Sequence, residues 1–125
     1  MKKAGWVQSC YRRSRDPALT RIGNLVAEIR SNPWKAYHFK QIAKDHGMSY
    51  SHFRLRFRQL AGTGPDAFML HRRMHSAALQ LHNPHKSISQ LANELGYENP
   101  AYFSRLFKSK IGVSPKAYRD ALPLR

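Results

Sequence analysis

Ile42-Ala43-Lys44-Asp45-His46-Gly47, followed by Phe53, Phe57, Gly62, Pro65 and Phe68, returns further along the chain as Leu91-Ala92-Asn93-Glu94-Leu95-Gly96, followed by Phe103, Phe107, Gly112, Pro115 and Tyr118. The offset is 49 residues from Ala43 to Ala92 and 50 from Phe53 to Phe103, which places a one-residue insertion between the glycine and the aromatic. An insertion there falls in a turn. Stacked solenoids need roughly three or more copies to bury a continuous core. Two copies with a helix between them point instead to a bipartite binding module.

Within each copy a small residue, a glycine four positions later and a large apolar residue early in the next helix have the spacing of a helix-turn-helix. Ala43, Gly47 and Phe53 hold these places in the first copy, and Ala92, Gly96 and Phe103 in the second. Alanine suits a close crossing of two helices, and glycine suits an exit through the left-handed backbone region that a Cβ opposes.

Working outward, Pro17 follows Asp16 as a first helical residue after an N-cap, and Ile22, Val26 and Ile29 repeat at helical spacing up to Asn32-Pro33. A helix is expected over about 39–46. Another, capped by Ser49, runs to about Ala61 with Phe53, Phe57 and Leu60 inward. Pro65 opens a linker helix to about residue 82. Ser87-Ile88-Ser89-Gln90 is a capping-box pattern for the next helix, Glu98 or Asn99 starts the sixth, and Ser114-Pro115 starts the last. No segment alternates with period two, so the expected fold is all-α with about seven helices. The first helix-turn-helix spans about 39–61, the linker helix about 65–82 and the second helix-turn-helix about 88–111. Residues 1–15 read as a basic tail or linker remnant.

The chain has 125 residues, 42% of them apolar, which suits one small globular domain. Its formal charge of +15 and isoelectric point near 10.7 favour a polyanionic partner, with nucleic acid first and an anionic membrane second. Cys10 is the sole cysteine, which excludes an internal disulfide and a multi-cysteine zinc site. A reducing, cytoplasmic setting is expected, and no signal-peptide core follows Met1-Lys2-Lys3.

With Phe53 and Phe57 inward, the opposite face of that helix presents Ser51, Arg54, Leu55 and Arg58; in the second copy it presents Pro100, Ala101, Ser104, Arg105 and Lys108. Arginine can bond guanine O6 and N7 together, and serine can meet a base or a phosphate. Base contacts are therefore expected from Ser51, Arg54, Leu55, Ser104 and Arg105. Phosphate contacts are expected from Arg58, Lys108 and Lys110 near the helix ends. The phenylalanines are assigned to the core rather than to base stacking. His71 and His75 have metal-pair spacing but no evident third ligand, so no metal site, cofactor or catalytic residue is expected.

Residues 16 to about 120 resemble the DNA-binding domain of the AraC/XylS family of bacterial transcription regulators. The match is densest at Leu91-Ala92, Gly96-Tyr97, Tyr102-Phe103-Ser104-Arg105-Leu106-Phe107-Lys108, Gly112, Ser114-Pro115 and Tyr118-Arg119. The resemblance implies two recognition helices entering successive major grooves on one face of double-stranded DNA. It also implies RNA polymerase as a partner if the protein is an activator, nucleoid association, and an effector acting only through a domain absent from this chain. The first copy departs from the family pattern at Leu55, where arginine is usual, and at Arg56, where an apolar residue is. Two other classes fit less well. A repair enzyme carrying such a module would need a reactive cysteine, and a membrane-surface binder would need an apolar face not committed to a core.

Overall fold

The computed structural model describes residues 17–123, which contain seven helices and no strand. The basic tail expected over 1–15, with Cys10, and the Asp16 cap lie outside the described residues. In chain order the helices are α1 (Pro17–Ser31), α2 (Phe39–Asp45), α3 (Tyr50–Ala61), α4 (Pro65–Gln80), α5 (Ile88–Glu94), α6 (Pro100–Ile111) and α7 (Pro115–Asp120). The chain divides into two compact units within α4, between Phe68 and Met69.

The helix starts follow from side chains that supply acceptors to otherwise unpaired backbone N–H groups. Ser49 Oγ accepts from the His52 amide at 3.1 Å, and Ser114 Oγ from the Ala117 amide at 3.1 Å. Asn99 Oδ1 accepts from the amides of Ala101 and Tyr102 at 2.9 and 3.2 Å. Ser87 and Gln90 form the reciprocal capping box, each side chain bonding the other's backbone N–H.

The two turns are built alike. After α2, the Met48 amide donates to the Ala43 carbonyl at 3.0 Å and the Gly47 amide to the Lys44 carbonyl at 2.9 Å. After α5, the Tyr97 amide donates to the Ala92 carbonyl at 2.9 Å and the Gly96 amide to the Asn93 carbonyl at 3.0 Å. This pair of bonds is the Schellman closure, which requires a left-handed residue just past the helix. Gly47 at φ 70° and Gly96 at φ 97° supply it. A Cβ at either position would meet nothing within 4 Å, so the requirement is conformational and not spatial. The inserted residue is Glu98, which separates Tyr97 from the Asn99 cap, whereas Met48 is followed directly by the Ser49 cap.

In the first unit, Ile22, Leu25 and Ile29 of α1 are buried with Phe39, Ala43, Phe53, Phe57 and Phe68. The Phe53 and Phe57 rings are 6.0 Å apart, and Phe57 meets Phe68 edge-on at 5.7 Å. Two details correct the sequence-based stripes. Leu25 is buried where Val26 was expected to lead, Val26 being half-buried. Leu60 is 38% exposed rather than inward, because Phe53 and Phe57 already fill that face and Leu60 lies in the last turn before Gly62 ends the helix.

In the second unit, Met74, Ala77 and Ala78 of α4 and Leu81 just beyond it are buried with Leu91, Ala92, Phe103, Phe107 and Pro115. Phe103 and Phe107 are again 6.0 Å apart, and Phe107 meets Tyr118 edge-on at 5.9 Å. Met74, Ala77 and Leu81 repeat the spacing of Ile22, Leu25 and Ile29. The carbonyls after α1 and α4 are bonded by different side chains. The Tyr37 hydroxyl donates to the Asn32 carbonyl at 2.8 Å. Arg119 donates from Nε to Leu81 O and from Nη2 to Asn83 O, both at 3.0 Å.

Candidate nucleic-acid interface

The candidate surfaces are the outward faces of α3 in the first unit and of α6 in the second, each described within its own unit. Both helices bury two phenylalanines and carry no acidic residue. Each therefore turns a positively charged face outward by default. Four acidic residues are engaged away from both helices. Glu28 pairs with Lys35, Glu94 with Lys86 and Asp120 with Lys116 at 3.0 Å, while Asp45 accepts from Gln41 Nε2 at 2.9 Å.

On α3, Ser51, Arg54 and Arg58 are exposed, and Leu55 is 56% exposed. These four predicted positions thus share the outward face. Arg56, the family departure, is half-buried, and its Nε donates to His52 Nε2 at 3.3 Å. The Arg54 guanidinium lies 5.7 Å from the Tyr50 ring centroid and Lys40 Nζ, from α2, lies 5.8 Å from it. The Tyr50 hydroxyl donates to Asp66 Oδ2 at 3.2 Å. Burial raises the Tyr50 phenol above its ordinary pKa, the Asp66 charge adds to this, and Arg54 opposes it. Tyr50 therefore keeps its proton as a donor at neutral pH.

On α6, Ala101, Arg105 and Lys108 are exposed, with Tyr102 48% exposed between them, whereas Ser104 and Lys110 are half-buried. Arg105 occupies the place that Leu55 holds in the first copy, and Ser104 the place of Arg54. The Tyr97 phenol, packed 5.4 Å from Phe103, has its pKa raised by burial, with Arg73 acting against the rise.

Lys40, Tyr50 and Asp66 were not singled out from sequence. Tyr50 immediately follows the Ser49 cap, but nothing in the spacing links it to an aspartate sixteen residues on. Arg119 belongs to the stretch that carries the family resemblance, yet its bonds to Leu81 O and Asn83 O are structural, to carbonyls just past the end of α4. His71 and His75 rings lie 4.5 Å apart, but no group of three or more His, Cys, Asp or Glu gathers among the described residues. No helix among them is long and apolar enough to cross a membrane.

A family model described as a helix-turn-helix domain matches residues 42–121. The chain is 32% identical over 104 residues to an uncharacterized HTH-type transcriptional regulator of Haemophilus influenzae, covering 83% of this chain and 35% of that protein. It is 28% identical over 99 residues to the HTH-type transcriptional regulator MtrA of Neisseria gonorrhoeae, covering 79% and 33%. The chain thus spans about a third of the length of these curated relatives. Among solved structures, the DNA-binding domain of the global transcriptional factor AdpA, in complex with a target DNA, is similar at TM-score 0.65 and 27% identity over 80% of this chain and 90% of that one. A transcriptional regulator with an AraC-type DNA-binding domain from Chromobacterium violaceum is similar at TM-score 0.64 and 25% identity over 90% and 99%.

Proposed function

The chain belongs to the AraC/XylS family of helix-turn-helix DNA-binding transcription regulators, a family of regulators and not of enzymes, and from that premise we propose that it reads specific double-stranded DNA sequences with two recognition helices in successive major grooves. The observation that carries this reading is the pair of matched helices, α3 and α6, each anchored by two buried phenylalanines and each presenting cations with no acidic residue. The solved AdpA domain bound to its target DNA supports the same mode here.

Arg54 and Arg105 are the principal base readers, each able to take guanine O6 and N7 with a forked pair of hydrogen bonds. Ser51 and Ser104 add a donor or acceptor, and Leu55 offers methyl groups to a thymine methyl. Arg58, Lys108 and Lys110 neutralise phosphates and so orient the helices without reading sequence. The DNA-binding domain takes in residues 16–125. The protein works in the bacterial cytoplasm on the nucleoid. RNA polymerase is a partner if it activates transcription, and any effector acts through a part of the protein outside this chain. No residue is assigned a catalytic role.

A salt titration on a duplex carrying the preferred sequence tests the reading. Several phosphate contacts imply that affinity falls by orders of magnitude, roughly 10³-fold or more, between 50 and 200 mM salt. Salt-insensitive binding overturns it. Selection from random duplexes should recover two short preferred stretches about one helical turn apart, and a single stretch would remove the second reading head.

A further inference from the structure

The two reading helices differ at their first turns. In the first unit, Tyr50 rests on the fully buried Phe53, with near-parallel rings 6.4 Å apart, and its hydroxyl is tied to Asp66 in the first turn of α4. Arg54 and Lys40 both bring their cations to this ring. The second copy has Pro100, Ser104 and Lys116 in place of Tyr50, Arg54 and Asp66, so it lacks the ring, the guanidinium and the acceptor together.

Resting on the DNA-binding reading, we propose that Tyr50 and Asp66 are positioning residues that set the base preference of the first reading head, with Asp66 holding the Tyr50 ring and the ring holding Arg54 for one guanine. A long exposed arginine loses much of the gain of a forked base contact to the ordering of its own side chain. A guanidinium already held against an aromatic ring has lost that freedom before DNA arrives, and the planar group suits this where a lysine ammonium does not. Lys40, drawn to the same ring from α2, is held beside it as a point charge for the adjoining phosphate. The raised pKa of the phenol keeps its proton on the oxygen that Asp66 accepts from.

The test compares wild type with Tyr50→Ala, Tyr50→Phe and Arg54→Lys by selection from random duplexes and by affinity against salt, with Arg105→Ala marking the base pairs read by the second head. In Tyr50→Ala, preference at one base pair of the first stretch should fall about two- to fivefold, the size of an exposed cation–π contact, while the second stretch is unchanged. The salt slope should hold, because both cations remain. Tyr50→Phe, which keeps the ring and loses the tie to Asp66, should give a smaller fall at the same base pair. Arg54→Lys, which keeps the charge and loses the plane, should relax that base pair too. Unchanged preference in Tyr50→Ala, or an equal loss on every sequence, overturns the proposal. If Tyr50→Ala fails to fold by circular dichroism, unchanged preference in both Tyr50→Phe and Arg54→Lys overturns it instead. Failure of the underlying reading looks different, since wild type would then show neither sequence preference nor salt dependence.

Discussion

Phe57 meets Phe68 at 67° in the first unit and Phe107 meets Tyr118 at 72° in the second, and both turns close with the same pair of backbone bonds. The outward faces of the same helices share almost nothing. Arg54 and Leu55 of α3 stand where α6 has Ser104 and Arg105, and the Tyr50 ring stands where α6 has Pro100. The lesson is that the inward positions are bound to one packing solution, because interiors are close-packed and a change of volume is felt at once. The outward positions answer only to what they touch, so the two copies present two different outward faces on one scaffold.

The strongest way to break this comparison is through the shared core. Phe57→Ala and Phe107→Ala should each destabilise their unit by about 3–5 kcal/mol, measured by urea unfolding. Losses that differ by more than about 2 kcal/mol would show that the matched ring geometry hides unequal packing. Next in size is Arg105→Ala, which should lower discrimination at one base pair by about 1–3 kcal/mol in duplex selection while leaving thermal stability unchanged. A uniform loss on all sequences would make Arg105 a phosphate contact.

Gly47→Ala and Gly96→Ala should each cost about 1–2 kcal/mol in denaturant unfolding, because a Cβ is strained at positive φ even where nothing crowds it. The two should match. Leu55→Arg places in the first copy what the second has at Arg105. Since Leu55 is exposed, stability should stay within about 0.5 kcal/mol, and a new guanine preference should emerge in selection.

The smallest effect is one of pH and arises in both units. Burial lowers the pKa of His46, aided by Arg21, and burial lowers that of His71, aided by His75, Arg72 and Lys110. The unfolded chain then takes up protons at a higher pH than the folded one. Stability should therefore be full above about pH 6.5 and decline as pH falls below it toward the folded values. His46→Gln and His71→Gln should each flatten part of that decline in melts run from pH 7.5 to 5; a steeper decline would reverse the sign.

Ser49, Ser87, Gln90, Asn99 and Ser114 could be read as helix starts because capping is local, an interaction between a side chain and an amide two or three residues away. Gly47 and Gly96 could be read as ends for the same reason. The candidate faces followed from them, since Phe53 and Phe57 inward leaves Arg54 and Arg58 outward on a helix of 3.6 residues per turn. Val26 and Leu60 were misjudged because an apolar stripe is wider than the line of residues that finally meets a partner. Leu25 and Val26 are equally apolar, and only the helices packed against α1 select between them.

By itself the sequence determined the all-helical class, the duplication, the caps, the turns and the excess of positive charge, all of them set by residues near one another or by simple totals. Tertiary structure alone decided that Tyr50 bonds Asp66 while gathering Lys40 and Arg54, and that Arg119 serves the carbonyls just past the end of α4. Apart from Tyr50 and Arg54, neighbours one turn apart on α3, those contacts join residues on different elements through side chains with many rotamers, and no periodicity records them. Their partners are chosen only when the helices pack.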